Sequence, residues 1–172
     1  MRKILTNGKI VTIAGTGASG YNGDNQLATD AHISTPFGIF VSHDDEVYIA
    51  DRSNHRIRKV LKNGMITTFA GTGVAGYNGD IVLSINANLH DPTSVFVSNS
   101  NEVFISERNG HRIRKIGSNG IITIIARNGK PGYLGDIEYN HSEHGIAGRY
   151  VPNLSYFKIM KHERDCLYSS RL

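Results

Sequence analysis

One cysteine, Cys166, four prolines and no tryptophan stand among the 172 residues. A single thiol excludes an internal disulfide framework and any cysteine-based zinc site. With no matched base beside it, Cys166 reads as an incidental thiol. No apolar run approaches the ~18 residues of a membrane-crossing helix. The opening stretch, MRKILTNGKIVTIAG, has basic residues but no continuous apolar run of about 7–15 residues, so a secretory leader is not expected and the cytoplasm is the default compartment. Charge of one sign is scarce too: 19 Lys and Arg against 15 Asp and Glu leave +4. So small a surplus argues only weakly for a polyanion partner, despite a pI of 9.2. Glycine is what abounds, with 19 residues and no collagen-like period, which assigns the excess to turns.

Those glycines recur in register. GTGASGYNGD at 15–24 returns as GTGVAGYNGD at 71–80, identical at 8 of 10 positions, and as RNGKPGYLGD at 127–136. The step is 56 residues each time. On the same step EVYIADRSNHRIRKV (46–60) returns as EVFISERNGHRIRKI (102–116), and the pairs Asn7-Gly8, Asn63-Gly64 and Asn119-Gly120 each precede an apolar run. Three segments on one period mark a repeat architecture.

Within a unit the signals are those of strands. FGIFV (37–41), EVYIAD, HRIRKV and MITTFAG are short, rich in β-branched and aromatic residues, and bounded by turn residues. Asn-Gly between the last two suits a two-residue hairpin with both central residues at positive φ. In EVYIAD, Val47 and Ile49 lie on one face and Tyr48 and Ala50 on the other, so both faces are apolar. A sheet covered on both sides reads this way, whereas a half-exposed sheet would alternate. Four-stranded antiparallel sheets stacked around an axis, a β-propeller, meet that demand. A linear β-solenoid is the competing architecture, but its turns are shorter than 56 residues.

Pro36, Gly38, Val47, Tyr48, Ile49, Asp51, Asn54, His55, Arg56, Ile57, Arg58 and Lys59 follow a pattern that resembles the NHL repeat, a propeller-blade family. Pro92, Glu107, Asn109, His111, Arg112 and Arg114 carry it in the second copy, which departs at Glu107 and Gly110. The long AGTGxxGYNGD connection is similar to that of multi-repeat NHL proteins and of the teneurin propeller. The resemblance implies an all-β propeller over about residues 2–136 and no single function, because the family includes ubiquitin-ligase substrate-binding domains, RNA binders, kinase sensors and an amidating lyase.

On this reading residues 1–15 are the second half of a blade and 37–70 a full blade after the long connecting loop 15–36. Residues 93–126 form a second full blade after the loop 71–92. Residues 127–172 hold a third connecting loop and an eroded partial blade or irregular tail. That makes an incomplete propeller of about three blades' worth, against the 4 to 8 of closed rings. Three expectations compete: a fragment or degraded copy of a longer gene, with pattern loss after Asp136; a homodimer completing a six-bladed ring; or an open array with uncovered end faces.

Candidate chemistry is thin. Asp24, Asp80 and Asp136 give each GYNGD loop one carboxylate, where a calcium loop supplies several, so turn-bracing is the expected role. His55 and His111 sit in the third strand, away from the channel, and are expected to knit strands or blades through Asp51 or Glu107. Arg56 and Arg58 share a strand face and, with Arg112 and Arg114, suggest a phosphate-contacting stripe or inter-blade links. His141, Glu143 and His144 are closely spaced but lack a helix or third partner to make a metal site. No cofactor is expected, and no catalytic constellation stands out.

The expected function is non-catalytic display of loops to a protein or peptide partner, with Tyr21, Asn22, Asp24, Tyr77, Asn78, Asp80, Tyr133 and Asp136 as candidate contacts. Two alternatives are a lyase- or hydrolase-type propeller with a channel metal and an RNA-binding surface. The first is opposed by the absence of ionisable side chains from Phe37–Val41 and Thr93–Val97.

Overall fold

The computed structural model describes residues 1–131. Twelve strands lie within them: β1 (Arg2–Ile4), β2 (Ile10–Thr12), β3 (Gln26–Leu27), β4 (Pro36–Val41), β5 (Val47–Asp51), β6 (Arg56–Val60), β7 (Met65–Ala70), β8 (Val82–Leu83), β9 (Pro92–Val97), β10 (Val103–Glu107), β11 (Arg112–Ile116) and β12 (Ile121–Ala126). Three 3-10 turns cover 28–30, 52–54 and 84–86. All pairing between strands is antiparallel, in a half sheet β1-β2 and two full sheets ordered β3-β7-β6-β5-β4 and β8-β12-β11-β10-β9. The described residues fold as blades of a β-propeller.

Each full sheet has five strands rather than the four its sequence pattern predicts. The connection from the preceding sheet lays a two-residue strand along the outer edge, pairing Gln26 with Ile66 and Leu27 with Met65 in one, and Val82 with Ile122 in the other. A pair that short leaves no periodicity to read, and it blunts the exposed edge of the sheet.

The hairpins differ from expectation as well. Leu61 N donates to Met65 O and Gly64 N to Leu61 O, so the loop is three residues long. Gly64 alone takes positive φ, at 82°, while Asn63 uses its side-chain oxygen to accept from Met65 N. The reason is local: that side-chain bond stabilises a type I turn, after which one glycine completes a bulged hairpin. Asn7-Gly8 and Asn119-Gly120 repeat the geometry.

Between the full sheets lies the main core, with Tyr48, Ala50, Ile57 and Ala70 of the first packed among Val95, Val97, Val103 and Ile105 of the second and Leu89 of the connection before it. Inner strand β4 rests directly on inner strand β9. A Cβ at Gly38 would sit 2.6 Å from Thr93 O and 2.9 Å from Ser94 Cα, so only glycine permits this approach. Ala14, Ala28, Ala31, Ile49, Val60 and Ile66 make a smaller core between the half sheet and the first full sheet.

A candidate binding face at the connection end

Strand alternation brings the two ends of each long connection, 15–35 and 71–91, to the same end of the sheets as the turns 52–55 and 108–111 that join β5 to β6 and β10 to β11. The middle of each connection runs along the outer edge as far as the hairpin, where Ala28 N donates to Gly64 O and Ser84 N to Gly120 O. The short hairpins occupy the other end. Each connection is clamped to the sheet that follows it.

In the first full sheet the clamp is Arg58, whose side chain is 0% exposed. Its Nη2 donates to Gly23 O at 2.9 Å and to Asp24 Oδ1 at 3.0 Å, and Thr68 Oγ1 donates to the same carboxylate oxygen at 3.0 Å. Behind it stands Asp51, also fully buried, with Oδ2 3.6 Å from Arg58 Nη1. Asp51 accepts from Ser34 N and Asn54 Nδ2, each at 2.8 Å. Burial raises the Asp51 carboxyl above its ordinary range, opposed by those donors and by Arg58. Arg56 lies over the Tyr21 ring at 3.9 Å, with Arg58 at 4.8 Å, so the two arginines on one strand face hold one aromatic. Arg56 also donates to Thr72 O at 2.7 Å, tying the sheet to the next connection.

The second full sheet repeats the plan. Arg114 donates to Gly79 O at 3.1 Å and Asp80 Oδ1 at 3.2 Å, and Asp80 also accepts from Ile124 N. Arg112 covers Tyr77 at 4.2 Å and donates to Gly110 O and Asn128 O. Glu107 replaces Asp51, with Oε1 3.5 Å from Arg114 Nη1 and Oε2 buried without a hydrogen-bond partner among the described residues. Burial raises its carboxyl to about 7, against the opposing pull of Arg114 and then Arg112.

Asn22 and Asn78, both exposed, brace their own connections. Asn22 Oδ1 accepts from His32 N at 2.7 Å, and Asn78 Oδ1 from Asn88 N at 2.8 Å. Pro36 and Pro92 open the inner strands, where no ladder donor is needed. Asn109 donates to Asp91 Oδ2 at 2.7 Å.

His55 does not pair with Asp51. It takes left-handed φ of 52° at the end of the 52–54 turn, which swings its ring away from its own sheet and toward the next connection. There Nδ1 accepts from Asp91 N at 3.3 Å and lies 3.5 Å from Asp91 Oδ1. Burial lowers the His55 imidazole, against the opposing charge of Asp91. His111, with φ of 46°, is also lowered, first by burial and then by Arg127 and His90, and no Glu107 contact places it as expected. The pairing that sequence reasoning missed is Arg52–Asp91, at 3.1 Å between the full sheets. Thr35 stands at the Asp91 position one repeat earlier, so the period gave no signal for it.

Among the described residues no group of three or more His, Cys, Asp or Glu side chains could hold a metal ion. Tyr133, Asp136, His141, Glu143, His144 and Cys166 lie outside the described residues. On the connections themselves Tyr21, Val74, Tyr77, Ile81 and Ile85 are exposed.

No family model matches the chain. Protein SUPPRESSOR OF QUENCHING 1, chloroplastic, from Arabidopsis thaliana is 31% identical over 101 residues, which is 56% of this chain and 9% of that protein. Teneurin-1 from Gallus gallus is 36% identical over 73 residues, 37% of this chain and 3% of that protein. A solved Bacteroides thetaiotaomicron protein of unknown function superposes with a TM-score of 0.58 at 26% identity, over 66% of this chain and 28% of its own. An auxiliary nutrient binding protein from the same organism gives a TM-score of 0.51 at 29% identity, over 69% of this chain and 30% of its own. The chain thus spans less than a third of each of these relatives and has the propeller-like fold of its structural neighbours.

Proposed function

We propose that the chain is an NHL-type propeller module whose connection-end loops bind a protein or peptide partner, without catalysis. The observation that carries this is the pairing of rigidity with apolar exposure on 71–91. Buried Arg114 and its half-buried partner Asp80 fix the loop, while Ile81, 78% exposed, projects from it with Val74 and Ile85. Ordering such a loop beforehand lowers the entropic cost of association, and scaffold-held loops are where binding residues concentrate. The similarity to an auxiliary nutrient binding protein is in keeping with a binding role.

Peptides selected from a random display library on the immobilised chain test this. Those enriched should lose binding to a Val74→Ser/Ile85→Ser variant whose β-type circular dichroism is unchanged. Selected peptides that bind the variant as tightly as the parent refute the placement, and a library that enriches nothing refutes peptide binding by this face.

A further inference from the structure

Three pieces of chain that meet between the full sheets are bonded into one block. Arg108 N donates to Asp91 O at 3.0 Å and Gly110 N to His90 O at 3.3 Å, which fixes the turn 108–111 on the end of the connection before it. From the first full sheet, Arg52 Nη2 donates to Asp91 Oδ2 at 3.1 Å and His55 Nδ1 accepts from Asp91 N, so the turn 52–55 is fixed on the same residues. The His55 and His90 rings stand edge to face, 6.1 Å between centroids. Ala75 bridges Leu89 and Gly76 N donates to Leu89 O, which brings exposed Val74 alongside.

The ionisable groups on this block are nearly all basic. Residues 52–55, 90–91 and 108–111 carry Arg52, His55, His90, Arg108 and His111 against one acid, Asp91. That acid is already engaged: Asp91 Oδ2 accepts from Arg52 and Asn109, Oδ1 lies 3.5 Å from His55, and the side chain is 13% exposed. Arg108, by contrast, is exposed, and its guanidinium has no partner among the described residues. One repeat earlier the turn 52–55 is fixed by neutral groups, Ser53 N donating to Ser34 O and Ser53 Oγ to Thr35 Oγ1, so the repeat does not need charge for this purpose. At the hairpin end acids and bases pair off, Lys59 with Glu46 and Lys115 with Glu102.

We propose that this block, bordered by Val74, is the docking surface for an acidic peptide segment, a partner chemistry that rests on the peptide binding proposed above. Carboxylates of the segment meet Arg108, His90 and His111, and an apolar side chain covers Val74. The block is ordered before binding, which lowers the entropic cost, and a surface of one sign selects a partner of the other. A nucleic acid suits it less, because Tyr21 and Tyr77, the rings on which bases would stack, are each covered on one face by Arg56 or Arg112. Docking also draws protons. His55 faces Asp91, His90, Arg56 and Arg52, and His111 faces Arg127, His90 and Arg112; both imidazoles are held below their ordinary value, first by burial and then by the basic neighbours, with Asp91 opposing at His55. Glu107, against Gly110, loses its charge near pH 7 as pH falls, in the same direction. A carboxylate brought up to the histidines favours their charged form, so affinity rises as pH falls.

Peptides selected on the chain from the random display library are the probe. They should be at least about twofold richer in Asp and Glu than the unselected library. Their binding should weaken about tenfold with Arg108→Ser/His111→Asn, in which asparagine tolerates the left-handed backbone of position 111, and should not change with Lys62→Ser, which removes a cation from the hairpin end. Lowering the pH from about 7.5 to about 6, where peptide carboxylates stay ionised, should tighten binding about threefold, and by less in the double variant. Selected peptides with no acidic excess that are still lost on Val74→Ser/Ile85→Ser overturn the proposal and leave peptide binding standing, as do acidic peptides indifferent to Arg108→Ser/His111→Asn. A library that enriches nothing overturns both. A single-stranded oligouridine that binds more tightly than the selected peptides, and loses that binding in the Arg108→Ser/His111→Asn variant, overturns the proposal in favour of nucleic acid.

Discussion

In the first full sheet the carboxylate behind the buried guanidinium is Asp51, and in the second it is Glu107; the neighbour three residues on changes with it, from Asn54 to Gly110. Asp51 is short, so Asn54 fits beside it and donates both to it and onward to Gly20 O. Glu107 is one methylene longer and occupies the room an asparagine would need. A Cβ at Gly110 would overlap its carboxylate. The two changes make sense only together, and the cost of the exchange is visible: among the described residues Glu107 keeps a buried oxygen without a partner, whereas both Asp51 oxygens are satisfied. A repeat can thus hold its backbone constant while drifting in how well it compensates a buried charge.

The sharpest contrast is in pH dependence. Glu107 has a folded-state value near 7, above the roughly 4.3 of an unfolded glutamate. Between those limits the folded chain binds more protons than the unfolded one, so stability is full below the window and falls as pH rises through it. Urea denaturation from pH 5 to pH 8 should show a loss of up to about 3 kcal/mol that Glu107→Gln removes. His55 and His111, both lowered, oppose this trend equally in parent and variant, so the same pH dependence in the parent and in Glu107→Gln would contradict the difference between the sheets.

A smaller effect isolates the coupling. Gly110→Asn alone should cost about 2 kcal/mol by overpacking against Glu107. Glu107→Asp alone should also destabilise, by withdrawing the carboxylate and leaving a gap. The double variant, which writes the first sheet's solution into the second, should recover most of both losses, and a thermodynamic cycle measures this. Additive effects would show that the positions are independent.

Smallest is a backbone difference. Ile81 takes φ of 61° where the first connection has Asn25 at 57°. A β-branched residue is strained there and asparagine tolerates it. Ile81→Asn should stabilise the chain by about 1 kcal/mol, read as a rise in melting temperature. No rise would mean that the exposed isoleucine gains as much from contacts as it loses in strain.

Much of this fold is legible in the residues. Val47, Tyr48, Ile49 and Ala50 announce a sheet covered on both faces, and the 56-residue step announces that such sheets stack. The clamp was only half legible: Arg58 and Asp24 recur, but 34 residues separate them, and no local pattern shows that one buries itself under the other. His55 and Asp91 were hidden for a different reason. Aligning repeats highlights what is shared, whereas that contact lies between two units and rests on an aspartate that only one of them has. The outer strand β3 was too short to leave a signal at all.

The clamps also settle which pieces of chain belong together. Asp24 is held by Arg58, Gln26 by Ile66 and Asp80 by Arg114, so each connection is stitched to the sheet after it. A self-consistent cassette therefore runs from Gly15 to Ala70 and from Gly71 to Ala126, rather than from the start of one sheet to the start of the next. Shuffling or lengthening the array by cutting after Ala14 or Ala70 keeps every buried arginine with both of its carboxylates, whereas a cut before Pro36 or Pro92 parts Arg58 from Asp24 or Arg114 from Asp80.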